Sequence, residues 1–392
     1  MRILIAPDKF KGSLSAKEVA IAIQDGLQKA NTGRPKALEI TMQPIGDGGE
    51  GTMNAICEGN SHCESQLAKL HDARGRLIEA QFFICNFDEK QEAYLEMASA
   101  SGLAMLSPAE RNPEHSTSYG TGELIFHAHA AGAREIYVGL GGSATIDAGA
   151  GMLQALGFEF YTDSGTMDLQ EAVTSGELNL AEALEKVRKI RISQAARDLQ
   201  RLTQLHIVAD VQSPLHGPFG AIEQFGAQKG LVRESFPRYR KALEHFARVC
   251  ETSLNYSTGS LSNQAGSGAA GGLGFALLLL NARIHPGFEF FAQKTELEDI
   301  LNVDLVITGE GKMDATSLAG KGPGALARMC ADRGIPCIAV CGKLENEREL
   351  KESGLFKEIL EISSGLDERE SMAKADSLIS AAIVQFMEFG LK

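Results

Sequence analysis

Four acidic residues in this chain each follow a short apolar, β-rich run: Asp8, Asp47, Asp210 and Glu310, with Asp314 four residues beyond the last. In a parallel sheet the carboxyl ends of the strands open on one edge, where ligands bind. Carboxylates gathered there suit two tasks, holding Mg2+ and taking a proton from an attacking hydroxyl. Lys9, Lys11, Lys229, Lys312, Lys321 and Lys343 supply positive charge that would offset a phosphate. The competing role for such an acid is to cap a helix, and Asp8 and Asp314 suit it equally well. His127 and His129 are two apart, off any shared helical face, and neither reads as a metal ligand.

Six glycine-rich turns accompany these acids, at residues 46–51, 119–122, 139–143, 266–274, 309–312 and 320–322. Backbone N–H groups exposed in such turns, reinforced by a helix dipole, bind anions. Glycine in each turn also serves positive φ or close packing alone; six together, several beside a lysine or an acid, point to phosphate chemistry. One of them carries a dinucleotide-binding spacing: the strand-like residues 135–138 precede Gly139-x-Gly141-x-x-Ala144, with Glu159 twenty residues beyond Gly139. That spacing supports, as the alternative function, an NAD-dependent dehydrogenase of a small hydroxy acid. Against it, the first strand is followed not by glycines but by Ala6-Pro7-Asp8-Lys9-Phe10-Lys11-Gly12-Ser13. Neither a Walker A sequence nor the protein-kinase glycine loop with its partner motifs occurs.

These residues need a scaffold, and the pattern supplies one. Ile3-Leu4-Ile5 precedes Val19, Ile23 and Leu27 at helical spacing, opened by the capping box Ser15-x-x-Glu18. Similar strand runs recur at 38–42, 135–139, 206–209, 304–308, 336–340 and 357–362. The alternation predicts parallel sheets covered by helices. A last helix over 371–389 puts Met372, Ala375, Leu378, Ile379, Ala382, Ile383 and Phe386 on one stripe that covers a core. Residues 179–204 read as helical. The β-α rhythm is cleanest at the two chain ends, which predicts an α/β fold of two α/β domains: a discontinuous Rossmann-like parallel-sheet domain, residues 1–75 and 290–392, with 76–289 as a large inserted α/β domain.

Composition narrows the partners. The 392 residues are 44% apolar with 42 glycines, and 38 basic against 51 acidic residues leave a net charge of −13. That charge repels nucleic acid and anionic membranes, which leaves small molecules. The longest apolar run, 273–280, is too short for a bilayer, and Met1 leads directly into the first strand without a signal-peptide pattern, so no membrane role is expected. Seven scattered cysteines without a C-x-x-C pair predict reduced thiols in a cytoplasmic protein rather than a disulfide framework or a zinc site.

Taken in order, the motifs resemble those of the bacterial type-1 glycerate kinases. The matching stretches are Ala6-Pro7-Asp8 with Phe10-Lys11-Gly12-Ser13-Leu14, Asp47-Gly48-Gly49-Glu50-Gly51-Thr52, Ala98-Ser99-Ala100-Ser101-Gly102-Leu103, Tyr119-Gly120-Thr121-Gly122-Glu123-Leu124, Gly141-Gly142-Ser143-Ala144-Thr145, Gly226-x-Gln228-Lys229-Gly230, residues 268–274, and Thr308-Gly309-Glu310-Gly311. They span the chain in the family's order. Departures are Lys9 for Ser, Ile146 for Asn, Ala148 for Gly, Ser213 for Asn, Thr316 for Gln, and a missing glycine run within 162–179.

The resemblance implies transfer of the ATP γ-phosphoryl group, with Mg2+, to a hydroxyl of D-glycerate, most often the 2-hydroxyl, in a cleft between two α/β domains. Within that expectation Asp210 is the candidate general base, and Lys11 and Lys229 are candidates for the glycerate carboxylate or a phosphate. Gly142-Ser143 and Gly271-Gly272 are candidate phosphate cradles, Glu310 and Lys312 further nucleotide-binding candidates, and Asp47 and Asp314 candidate Mg2+ ligands. A homodimer is the assembly considered.

Overall fold

The computed structural model describes every residue except 33–36, 88–89, 319–321, 364 and 390–392. The turn at Gly320-Lys321 therefore lies outside the described residues. Fourteen strands are described: β1 (Arg2–Ile5), β2 (Glu39–Met42), β3 (Cys63–His71), β4 (Leu77–Phe87), β5 (Lys90–Glu96), β6 (Glu135–Gly139), β7 (Phe158–Thr162), β8 (Gly165–Met167), β9 (Lys189–Ile192), β10 (Gln204–Val208), β11 (Arg283–His285), β12 (Leu305–Met313), β13 (Cys337–Leu344) and β14 (Glu358–Glu361). The fold is α/β. The chain divides into two compact units, one of residues 1–47, 54–56 and 287–392, the other of 48–53 and 57–286.

The first unit is a five-stranded, all-parallel sheet in the order β14-β13-β12-β1-β2. Its three central strands, β13, β12 and β1, are largely buried, so they read as apolar runs rather than as alternation, whereas the edge strands β2 and β14 are mostly exposed. Ile3, Ile5, Leu305, Ile307, Ile338 and Val340 pack with Val19, Ile23 and Leu27 of helix Ala16–Asn31 and Ile379, Ile383 and Phe386 of helix Ala375–Phe389. The first of these helices starts where the sequence predicts, at Ser15, whose side chain and Glu18 form the capping box. The final helical stretch is two helices, Glu368–Ala373 and Ala375–Phe389; Met372, on the shorter one, is 37% exposed and leaves the stripe.

The second unit is built on a six-stranded sheet, β11-β10-β6-β5-β4-β3. β5, β6, β10 and β11 run parallel, whereas β3 and β4 form an antiparallel meander with β5. The sheet is therefore mixed, with a parallel part as expected and an antiparallel part added: the short turn between β3 and β4 joins neighbours that only an antiparallel pairing permits. Pairing of β3 with β4 also puts residues 63–71 in this unit rather than in the one that contains β1. The segment 179–204 is corrected too. It holds helices Leu180–Lys186 and Gln194–Leu202 around β9, which joins β7 and β8 in a small antiparallel sheet.

Cys63 stands opposite Cys85 in the β3–β4 register, and the two form a disulfide. They stand 22 positions apart in the chain; only the hairpin brings them together, so spacing offered no signal, and the expectation of reduced thiols throughout is corrected. Among the described residues no helix is long and apolar enough to cross a membrane.

Candidate functional site

In the five-stranded sheet the strand order reverses between β1 and β12, since the chain leaves β1 toward β2 and leaves β12 toward β13 on the other side. Such a switch point opens a crevice at the strands' carboxyl ends. Asp8 lies there just past β1, with its N–H bonded to the Gly309 carbonyl at 2.8 Å, and Glu310 lies on β12. Gly309 is required where the strands crowd, because a Cβ would collide with the Val340 carbonyl. Burial pushes the Asp8 carboxyl up to about 6; Lys9 opposes this and the charge of Asp47 adds to it. Burial likewise pushes Glu310 up to about 7, against a hydrogen bond from Ser317 and with the charges of Asp8, Asp47 and Asp314. Glu310 Oε1 is buried without a hydrogen-bond partner. The charges of Asp8 and Asp47 oppose ionisation of Glu310, and oxygen donors of this kind suit a hard divalent cation, although among the described residues the three carboxylates do not lie within one ion's reach of each other.

Asp314 is different. It accepts hydrogen bonds from Thr316 N at 2.8 Å and Thr316 Oγ1 at 2.6 Å and pairs with Lys312 at 3.3 Å. Those bonds, the Thr316 hydroxyl foremost, hold it below the usual carboxylate range. Its local geometry is that of a turn cap. Lys312 also pairs with Glu345 at 2.9 Å, and Lys11 is exposed just past Phe10, beside the backbone of Gly311.

In the second unit the carboxyl ends of β5, β6 and β10 carry Glu96, Gly139 and, two residues on, Asp210. The glycine turn that follows Asp47 is moulded onto this edge. Gly48 has φ +83°, and a Cβ on it would stand 2.9 Å from the Val208 carbonyl. Both Glu96 carboxylate oxygens accept from Gly51 N, at 2.9 and 3.0 Å, and Oε1 accepts from Met53 N at 2.9 Å, fixing the start of helix Thr52–Cys57.

The loop after β6 is anchored by the fully buried Asp147, which accepts from Ser118 N and Oγ at 2.8 Å and from Gly149 N and Gly151 N at 3.1 Å. Lys229, 3% exposed, donates to Ser143 Oγ and, at 2.9 Å, to the Thr145 carbonyl. Burial lowers its amine to about 7 although Asp147 opposes the shift. Ala270, Gly271 and Gly272 are all left-handed, and a Cβ on Gly271 would strike the Thr145 carbonyl. Gly271-Gly272 are buried beneath residues 145–148, the continuation of the loop that carries Gly142-Ser143.

The first unit thus gathers Asp8, Asp47 and Glu310, and the second gathers Ser143, Lys229, Gly271 and Gly272. Sequence reasoning missed Glu96 and Asp147 as anchors of the glycine loops. Their signal is an acid next to a glycine- and serine-rich stretch, whose backbone N–H groups need acceptors.

The dinucleotide reading fails on geometry. Its fingerprint needs a helix that opens at the glycines, but residues 140–149 form a loop and the helix Ala150–Ala155 begins only after it. Glu159 lies on β7 of the small antiparallel sheet, not on the next parallel strand.

Fold, glycine loops and relatives together define an α/β phosphotransferase. The family model described as "Glycerate kinase family" matches residues 3–390, and the chain belongs to that family. It is 34% identical to a glycerate kinase of Halalkalibacterium halodurans, over 97% of this chain and 96% of the relative, and 36% identical to the glycerate 2-kinase of Escherichia coli K12, over 88% and 86%. A crystal structure from Salmonella typhimurium LT2, provisionally assigned as glycerate kinase 2, matches with a TM-score of 0.77 at 33% identity, over 99% of this chain and 97% of that one.

Proposed function

We propose that the protein transfers the γ-phosphoryl group of ATP to the 2-hydroxyl of D-glycerate, releasing ADP and 2-phospho-D-glycerate. The observation that carries this reading is the carboxylate set Asp8, Asp47 and Glu310 at the switch point of a parallel sheet, in a chain 36% identical to a glycerate 2-kinase. Phosphoryl transfer asks for positioning, charge neutralisation and an oriented hydroxyl more than for covalent chemistry. When bound with the nucleotide, Mg2+ would neutralise phosphate charge, and Asp8, Asp47 and Glu310 are the residues that would hold it, with Asp314 shaping the adjacent turn.

Asp210 takes the proton of the attacking hydroxyl. Lys11, exposed beside Gly311, offers its charge to an anionic group of substrate. Lys229 acts through Ser143 and Thr145, keeping residues 142–145 in shape for phosphate contact through Gly142 N–H and Ser143. Lys312, already paired with Glu345 and Asp314, supports β12 and β13 beside the nucleotide. The proposed setting is the cytoplasm, with small-molecule substrates, neither nucleic acid nor membrane as partner, and a homodimer as the assembly.

Phosphorus NMR of the product formed from ATP, Mg2+ and D-glycerate tests class and regiochemistry together. A resonance coupled to the C2 proton is expected. Product phosphorylated only at the 3-hydroxyl overturns the regiochemistry, and absence of ATP turnover overturns the reading.

A further inference from the structure

The second unit also gathers three sulfur atoms. Cys57 ends the helix Thr52–Cys57, and two successive tight turns return the chain to Cys63 on β3: Asn60 N bonds to the Cys57 carbonyl at 3.1 Å and Cys63 N to the Asn60 carbonyl at 3.0 Å. Cys63 is disulfide-bonded to Cys85 across the β3–β4 pair, and Cys57 Sγ lies 3.7 Å from Cys85 Sγ. All three sulfurs lie within 4.8 Å of one another. Cys57 and Cys85 are buried and Cys63 is half-buried.

We propose that these three sulfurs are a thiolate site for a soft monovalent d10 ion, Cu+, open when the Cys63–Cys85 pair is reduced and closed when it is oxidised. A metal–thiolate bond of about 2.3 Å puts three sulfurs of a trigonal-planar site roughly 4 Å apart. The Cys57–Cys85 spacing of 3.7 Å is of that size, and the Cys63–Cys85 pair, held together as a disulfide, moves apart to it once reduced. Thiolates select soft ions. Among the described residues no histidine nitrogen or carboxylate oxygen joins the group, so the donor set stops at three. Zn2+ completes a tetrahedron and would need a fourth ligand; Cu+ is satisfied by three.

Opening the site takes two electrons from a dithiol. One thiolate of the dithiol attacks Cys63 Sγ, the more exposed sulfur, and Cys85 leaves as thiolate. The second thiol then displaces Cys63, and the dithiol departs as a cyclic disulfide. Cu+ afterwards replaces three thiol protons. The ion would tie the end of helix Thr52–Cys57 to β3 and β4. Because Glu96 holds the other end of that helix, occupancy stiffens the glycine turn in front of it from behind.

The test is competition for Cu+ between bicinchoninate and the full chain, after reduction by a phosphine and anaerobic desalting. One equivalent of Cu+ should bind, with near-ultraviolet sulfur-to-copper absorption, and oxidised protein should bind none. Cys57→Ser should weaken binding by more than about 100-fold, beyond the range for outer-shell changes, whereas Cys341→Ser, in the other unit, should bind as wild type. Should Cys57→Ser fail to fold by thermal melt, Cys63→Ser at the more exposed end replaces it. Reduced protein that takes no Cu+, a preference for Zn2+ in the same competition, or site variants that bind as wild type would each overturn the proposal.

Discussion

Lys229→Met isolates what a buried amine contributes to the loop it holds. The amine is 3% exposed, and burial lowers its pKa from 10.5 to about 7. The unfolded chain keeps its proton up to about 10.5, so between those values the unfolded state binds about one proton more than the folded state. Folding stability must then rise with pH: the contribution is complete above the unfolded pKa and is lost as pH falls through about 7. One pKa unit is worth about 1.36 kcal/mol, and with the folded amine almost wholly neutral above pH 8 the wild type gains about 1.3 kcal/mol between pH 8 and pH 9 relative to the variant. Removing the donor also leaves the Thr145 carbonyl without its 2.9 Å partner, an added cost of about 1 to 3 kcal/mol at any pH. Urea unfolding followed by circular dichroism, for both proteins at several values from about pH 7 to pH 9, reads the two contributions separately. A stability difference that stays constant with pH refutes the depressed amine; no difference at all refutes its structural role.

Asp210→Asn should keep the melting temperature and lose about 10²- to 10⁴-fold in kcat if Asp210 accepts the hydroxyl proton, while Lys11→Ala should raise KM for an anionic substrate with less effect on kcat; a near wild-type kcat for the first removes the base assignment. Glu310, raised from 4.5 to about 7, holds its proton in the folded state more tightly than in the unfolded, so its contribution to stability is present below 4.5 and lost as pH rises through about 7. Glu310→Gln should flatten stability across that window and raise the Mg2+ concentration needed for half-maximal activity, and an unchanged Mg2+ requirement would exclude Glu310 from the ion's ligands. Gly271→Ala adds a Cβ against the Thr145 carbonyl at φ +71° and should lower stability by at least about 2 kcal/mol, whereas Gly51→Ala, at φ +93° with nothing within 4 Å of the new Cβ, should show only a backbone cost of about 1 kcal/mol. Equal losses in thermal melts would contradict the packing argument.

The strands that sequence reading located, β1, β2, β6, β10, β12, β13 and β14, are those whose apolar runs are short, bounded and followed by helical spacing. β3, β4, β5, β7, β8, β9 and β11 escaped it. In β3 Glu64, Ser65, Leu67 and Lys69 are exposed, and the buried Ala68 and Leu70 become meaningful only once β4 is alongside. Acids placed by strand ends, such as Glu310, were legible because the strand itself was. The burial that raises Asp8 and Glu310 was not, since it depends on strands some 300 residues apart in sequence lying side by side. Asp314 looked equivalent to them until Thr316, two residues on, proved to saturate it. Asp147 and Glu96 were hidden for a related reason: each answers backbone donors on a segment remote in sequence.

The β1–β12 pairing also sets a timetable for the ribosome. Arg2 N bonds to the Asp304 side chain at 2.8 Å across a separation of 302 residues, and β1 is an interior strand with β12 as one of its two neighbours. At roughly 5 to 20 residues per second, the stretch between β2 and β12 takes on the order of 10 to 50 s to synthesise. Throughout that time the nascent β1 and β2 have no completed sheet to join. The second unit, by contrast, is nearly one continuous stretch of chain and can close as soon as β11 has emerged. A newborn chain must therefore keep its apolar first strand soluble while most of the protein is still being made, which marks β1 as a segment that needs chaperone cover.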